Sequence, residues 1–172
     1  MDRREFLKRS CLFTAGVTLS PVILDVFSRH LYASSIVPLR KEAMYYKKID
    51  AETVQCALCP RKCTLTNGQR SFCRAREPKN GKLFSLVYSL PCAVHVDPIE
   101  KKPLFHFLPK TQAFSIATAG CNFRCKFCQN WSISQFPPED VDSKNLSPED
   151  VVKGALRADC PTIAYTYTEP SI

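Results

Sequence analysis

Along this chain the apolar residues fall into short blocks divided by turn signals, and most blocks predict an element. Ser10 to Leu24 runs 15 residues without a charge, short of the roughly 20 apolar residues that a membrane-spanning helix needs. Pro21 and Asp25 break the run further, so no span is predicted. After a linker containing Pro38, Leu39–Tyr46 reads as a short helix. From Thr53 to Val96 the apolar runs are brief and interrupted by Thr66-Asn67-Gly68 and Pro78-Lys79-Asn80-Gly81. The second turn lies between Phe72–Arg76 and Leu83–Tyr88 and predicts a β-hairpin. Residues 97–110, with three prolines, read as an ordered loop. Ala113–Thr118 is a compact strand. Ser147-Pro148-Glu149-Asp150 opens a helix, with Ser147 as N-cap, proline at the first position and acids in the first turn. That helix runs to about residue 158, and Thr162–Thr168 forms the next strand. Strand, loop, helix and strand make a right-handed βαβ unit with parallel strands, hence an α/β class.

Charge changes this picture by region. The 172 residues carry a net charge of +8, and 45% are hydrophobic, enough for a core and too many for a disordered chain. Residues 46–112 hold 12 basic and 5 acidic side chains, whereas residues 113–172 hold 5 and 7. The basic excess therefore sits in the middle, where Arg61, Lys62, Arg70, Arg74, Arg76, Lys79 and Lys82 surround a cysteine cluster. Such a patch either offsets thiolates and their metal or faces nucleic acid or an acidic partner. At the N-terminus, Asp2-Arg3-Arg4-Glu5-Phe6-Leu7-Lys8 resembles the twin-arginine export signal, with a signal segment over 1–33 and only a poor cleavage site at Leu31-Tyr32-Ala33. The bland alternative there is a plain amphipathic or buried helix.

Ten cysteines are the strongest chemical signal. Cys56-x-x-Cys59-x-x-x-Cys63, followed by Cys73, supplies four thiolates, enough to close a zinc site or to hold an auxiliary iron–sulfur cluster. Two disulfides are the alternative for an exported chain, although Cys-x-x-Cys packing favours metal. Cys121, Cys125 and Cys128 lie within eight residues at the end of the Ala113–Thr118 strand. Three thiolates can each ligate one iron of a cubane and leave the fourth iron open. A zinc knuckle is the alternative, but it closes with four ligands and no fourth lies nearby. Cys160 reads as a buried core thiol, Cys92 with His95 as a weak thiol–imidazole hint, and His106 as a histidine in an apolar loop. Cys11 carries no assignment.

The Cys121–Cys128 spacing of three then two, with Phe127 before the last cysteine, resembles the signature of the radical S-adenosylmethionine (SAM) superfamily. The resemblance implies a [4Fe-4S] cluster on Cys121, Cys125 and Cys128, SAM on the open iron, and Phe127 near the adenine. Tyr165-Thr166-Tyr167-Thr168-Glu169-Pro170 resembles the superfamily's Gly-Gly-Glu-Pro turn, with Tyr167 and Thr168 in place of the glycines. That turn implies Tyr167, Thr168 and Glu169 as cofactor contacts at the SAM amino group. Cys128-Gln129-Asn130-Trp131 and Asp97-Pro98-Ile99-Glu100-Lys101-Lys102-Pro103-Leu104-Phe105-His106-Phe107 are similar to the AmmeMemoRadiSam enzymes, relatives of glycyl-radical-enzyme activases.

The resemblance implies a four-cysteine, mainly β and loop module over 34–110, followed over 111–172 by the first two β/α units of a partial (β/α)6 barrel. The expectation is a truncated segment without turnover of its own. Implied partners are a ferredoxin- or flavodoxin-type electron donor and AMMECR-type and Memo-type proteins, with no nucleic acid. The signal points to export and the chemistry to the cytoplasm, so location stays open. A non-enzymatic two-site zinc module that grips RNA or an acidic partner is the competing reading.

Overall fold

The computed structural model describes residues 40–172; the twin-arginine-like segment, Cys11 and the linker through Leu39 lie outside the described residues. Lys41–Glu42 (β1) and Tyr46–Lys48 (β2) are strands rather than the helix predicted over Leu39–Tyr46. Ala43 explains why: it is buried with Val54, Leu65 and Leu83, and its N–H donates to the Leu83 carbonyl at 2.8 Å. A helix would have closed that amide into its own turn. Tyr45, at φ 60°, then redirects the chain between the two strands.

β2 pairs with Val54–Cys56 (β3), which pairs with Thr64–Leu65 (β4), in an antiparallel sheet. A second sheet has the order β1-β6-β5, built on Arg76–Lys79 (β5) and Lys82–Ser85 (β6). The predicted hairpin forms, but with a tighter loop. Only Asn80 and Gly81 turn, at φ 53° and 68°, the two-residue geometry whose twist suits antiparallel strands. Pro78 thereby enters β5 opposite Leu83, which its place on an edge strand permits.

The third sheet carries the chemistry. Pro91–Pro98 (β7) runs antiparallel to Gln112–Thr118 (β8), and β8 runs parallel to Thr162–Tyr165 (β9). The loop predicted over 97–110 therefore starts late: Asp97 and Pro98 finish β7, and Ile99–Lys101 form a 3-10 turn around the fully buried Ile99. β9 stops three residues before the predicted Thr168, because Tyr167 adopts φ 67°. Between β8 and β9 stand a one-turn helix, Trp131–Ser134 (α1), and Pro148–Arg157 (α2).

α2 begins as predicted. The Ser147 hydroxyl accepts the Asp150 N–H at 3.2 Å, a cap worth about 1 kcal/mol. Val151 and Ala155 bury against Phe114 and Ile116 of β8 and against Cys160, confirming that cysteine as a core thiol. Gly154 permits the approach, since a β-carbon there would stand 2.9 Å from the Phe114 ring. Phe114 and Ile116 face α2, so Ala113, Ser115 and Ala117 face the other way. The antiparallel register sets Asp97, His95 and Ala93 of β7 opposite them on that same second face. Among the described residues no helix is long and apolar enough to cross a membrane.

Candidate metal centre and the adjoining cavity

The cysteine loop leaves the C-terminal end of β8 through Gly120, at φ 94°. Its neck is closed by the Gly120 N–H, which donates to the Ile133 carbonyl at 2.9 Å. Within the loop Cys121 is buried, Cys128 half-buried and Cys125 exposed. The Phe123 N–H donates to Cys121 Sγ at 3.4 Å, and Cys128 Sγ lies 3.3 Å from Ser134 Oγ. Among the described residues no three His, Cys, Asp or Glu side chains converge as ligands of one ion. A multi-iron cluster makes a different demand: each thiolate takes its own iron, so the donors ring the group. Three thiols on one loop, one already accepting a backbone N–H, fit that donor set.

The surroundings favour a negative occupant. Arg61 Nε donates to the Asn122 carbonyl at 2.7 Å, and Arg124 donates to the Cys121 and Phe123 carbonyls at 2.8 Å. Both guanidiniums lie over the Phe72 ring, at 3.5 and 4.0 Å from its centre. Burial, followed by the positive charges of Arg74 and Arg61, lowers the Arg124 pKa; Cys121 and Cys73 act in the opposite sense. Anionic sulfur in this loop relieves that crowding of cations.

Of the four-cysteine set only Cys56 lies in a strand, at the end of β3. The Cys56 N–H donates to the Cys63 carbonyl at 2.9 Å, so the β3–β4 hairpin brings the two together with Cys59 in the turn between them. Cys56 also takes a contact from Arg76 at 3.8 Å, and the buried Arg76 Nε has no partner. Burial raises the Cys73 pKa, against a hydrogen bond with Ser71. All nine described cysteines are free thiols, so the disulfide alternative is not realised here. Arg76 Nε, an unused buried donor beside thiols, suits a thiolate–metal group.

The two sets meet at Gly120. A β-carbon there would clash with the Cys73 carbonyl oxygen. Gly120→Ala therefore combines a backbone clash with a left-handed φ. It is expected to cost about 2–3 kcal/mol, read as a shift in the urea unfolding midpoint at unchanged slope.

The other predicted cofactor contacts separate. Phe127 is 91% exposed. Thr168 donates to the Thr118 carbonyl at 3.1 Å, and Glu169 accepts the Ser171 N–H and hydroxyl; both residues line a cavity of about 300 Å³ together with Tyr88 and Leu146. Tyr167 turns instead into a larger cavity of about 580 Å³ on the sheet face away from α2. Asn130, two residues beyond Cys128, donates to the Tyr167 carbonyl at 2.8 Å and ties that turn to the cysteine loop. Cys92 and His95 line the same cavity, and burial pushes the Cys92 thiol up to about 11.

At the floor of this cavity is a group whose members the sequence reading named separately and did not join. Asp97 accepts from Lys101 at 2.8 Å, from Lys102 at 2.7 Å and from the Tyr167 hydroxyl. Burial pushes its pKa up, but hydrogen bonds from Lys101, Lys102, Tyr167 and Ser115 outweigh it and hold the carboxyl well below the usual range. Burial and then Asp97 raise the Tyr167 pKa. The available signal was an acid followed by lysines four and five residues on, inside a segment read as a loop.

Residues 115–172 match the family model of the Radical SAM superfamily, a superfamily of enzymes. An uncharacterized protein of Methanocaldococcus jannaschii is 52% identical over 132 residues, covering 77% of this chain and 40% of that protein. The chain thus spans less than half the length of the curated relative it matches. No solved structure matches it.

Proposed function

We propose that this chain is the cluster-bearing part of a radical SAM enzyme of activase-like type, allied to the AmmeMemoRadiSam group. The observation that carries the reading is the three-cysteine loop at the C-terminal end of β8, within a segment matched by the superfamily model. α/β folds place their reactive groups at this end of their strands. Cys121, Cys125 and Cys128 hold a [4Fe-4S] cluster as thiolates. A cluster held there would supply the electron for reductive cleavage of the SAM sulfonium.

The chain's own residues prepare the place. The Gly120–Ile133 hydrogen bond closes the loop, Arg61 and Arg124 hold its backbone carbonyls, and the Phe123 N–H donates to Cys121 sulfur. Asn130 and Asp97 fix Tyr167 in its left-handed conformation, at the position where the superfamily turn has glycine. The turn Tyr167-Thr168-Glu169 is assigned to the SAM amino acid through its backbone, since its side chains enter separate cavities, and Phe127 to the adenine. Cys56, Cys59, Cys63 and Cys73 are assigned a second metal group, zinc or an auxiliary cluster, around which their side chains would have to close to staple the β module. A ferredoxin- or flavodoxin-type donor supplies electrons, and AMMECR-type and Memo-type proteins are the proposed partners.

The test is spectroscopic. Anaerobically reconstituted, dithionite-reduced chain is expected to give an electron paramagnetic resonance signal whose g-values shift when SAM is added. A signal indifferent to SAM, or no iron signal at all, overturns the assignment.

A further inference from the structure

The 580 Å³ cavity has an imbalance of donors and acceptors. Both Asp97 oxygens are engaged, Oδ1 by Lys101 and Oδ2 by Lys102 and Tyr167. Each lysine ammonium has three N–H donors and directs one to Asp97. Two cations thus face one carboxylate, and the Lys102 side chain is only 8% exposed. Asp97 balances the buried Lys102, so the surplus positive charge of the cavity is that of Lys101, whose side chain is exposed enough to meet an anion. The carboxylate has no need of a further donor, whereas both ammoniums have N–H groups to give. Other neighbours add no negative charge: the cavity's remaining titratable groups are His95, the Cys92 thiol and the Tyr167 phenol. Burial keeps that thiol protonated at neutral pH and raises the phenol's pKa.

We propose that this cavity seats the oxyanion, a carboxylate or phosphate, of a small organic substrate, with Lys101 and Lys102 as its binding residues and Asp97 as the group that positions them. The volume lies within the range of small-molecule sites. Asn130 and Tyr167 connect the cavity to the cysteine loop, so a molecule anchored by its anionic end lies on the loop's side of the sheet. Assigning the anion to the substrate rests on the function proposed above; the binding itself does not.

Isothermal titration of the full chain with malonate and with inorganic phosphate, at constant ionic strength against chloride, tests it. Saturable binding is expected for at least one, none for dimethyl malonate. Lys101→Met is expected to weaken binding about tenfold, the loss of one charge-assisted hydrogen bond. The Lys101 side chain is 57% exposed, so the fold should survive the change, and an unchanged circular dichroism spectrum checks that. Absence of saturable binding, or equal affinity in Lys101→Met, overturns the site. Displacement of malonate by S-adenosylhomocysteine, which carries the cofactor's own carboxylate, gives the pocket to the cofactor and overturns the substrate assignment. Lysine-dependent binding by chain that takes up no iron supports the site while overturning the radical function; a SAM-responsive signal without anion binding does the reverse.

Discussion

Cys125→Ala is expected to abolish iron uptake at the 121–128 loop while leaving the fold unchanged. Cys125 is the exposed member of the three, so its sulfur adds little to packing and its loss opens no cavity. Reconstituted wild-type chain should hold about four irons if only this loop carries a cluster, and about eight if the four-cysteine set carries one as well. The variant should lose about four in either case. Cys121→Ala should lose the same iron but also stability, because Cys121 is buried at the neck of the loop. Iron and zinc analysis, paired with thermal melts, separates the two effects. Zinc retained at wild-type level by the loop, with no iron taken up, would refute the cluster assignment.

Asp97→Ala is expected to be the most destabilising single change of a polar residue, at about 3–5 kcal/mol, because it leaves the buried Lys102 ammonium without its carboxylate. It also frees the Tyr167 hydroxyl and loosens the turn that Asn130 holds. A second substitution, Lys102→Met, should recover much of the loss, since exchanging both buried charges for apolar groups is far less costly than removing one. The pH dependence follows from the sign of the shift. Asp97 has a lower pKa in the folded chain than in the unfolded one, where it is about 3.9. Its contribution is therefore complete above about pH 4 and is lost as the pH falls further toward the folded value. Urea unfolding at pH 7, and melting temperatures followed down through the acid range, should show a loss on acidification that Asp97→Ala lacks.

The reach of the sequence differed between elements for physical reasons. β8, α2 and the parallel β9 were legible because each is specified locally, by an apolar run or by the Ser147–Pro148 cap. β7 was not: its inward positions include His95 and Asp97, so the polar side chains that make the cavity also erase the apolar alternation of a buried strand. The Leu39–Tyr46 segment misled because its strands are held from outside, by β6 and β3. The cysteine loop could be read from spacing alone. The Asp97 group could not, since Tyr167 stands 70 residues away and reaches it only when the sheet has formed.

The contact between Gly120 and the Cys73 carbonyl makes the two cysteine sets neighbours through a single thickness of backbone, and Arg124 senses both Cys73 and Cys121. If whatever settles on the first steadies the Cys73 turn, it changes the affinity of the second by some factor, and thermodynamic reciprocity requires the same factor in return. Assembly would then be cooperative whichever centre filled first, and stripping either one would weaken the hold on the other.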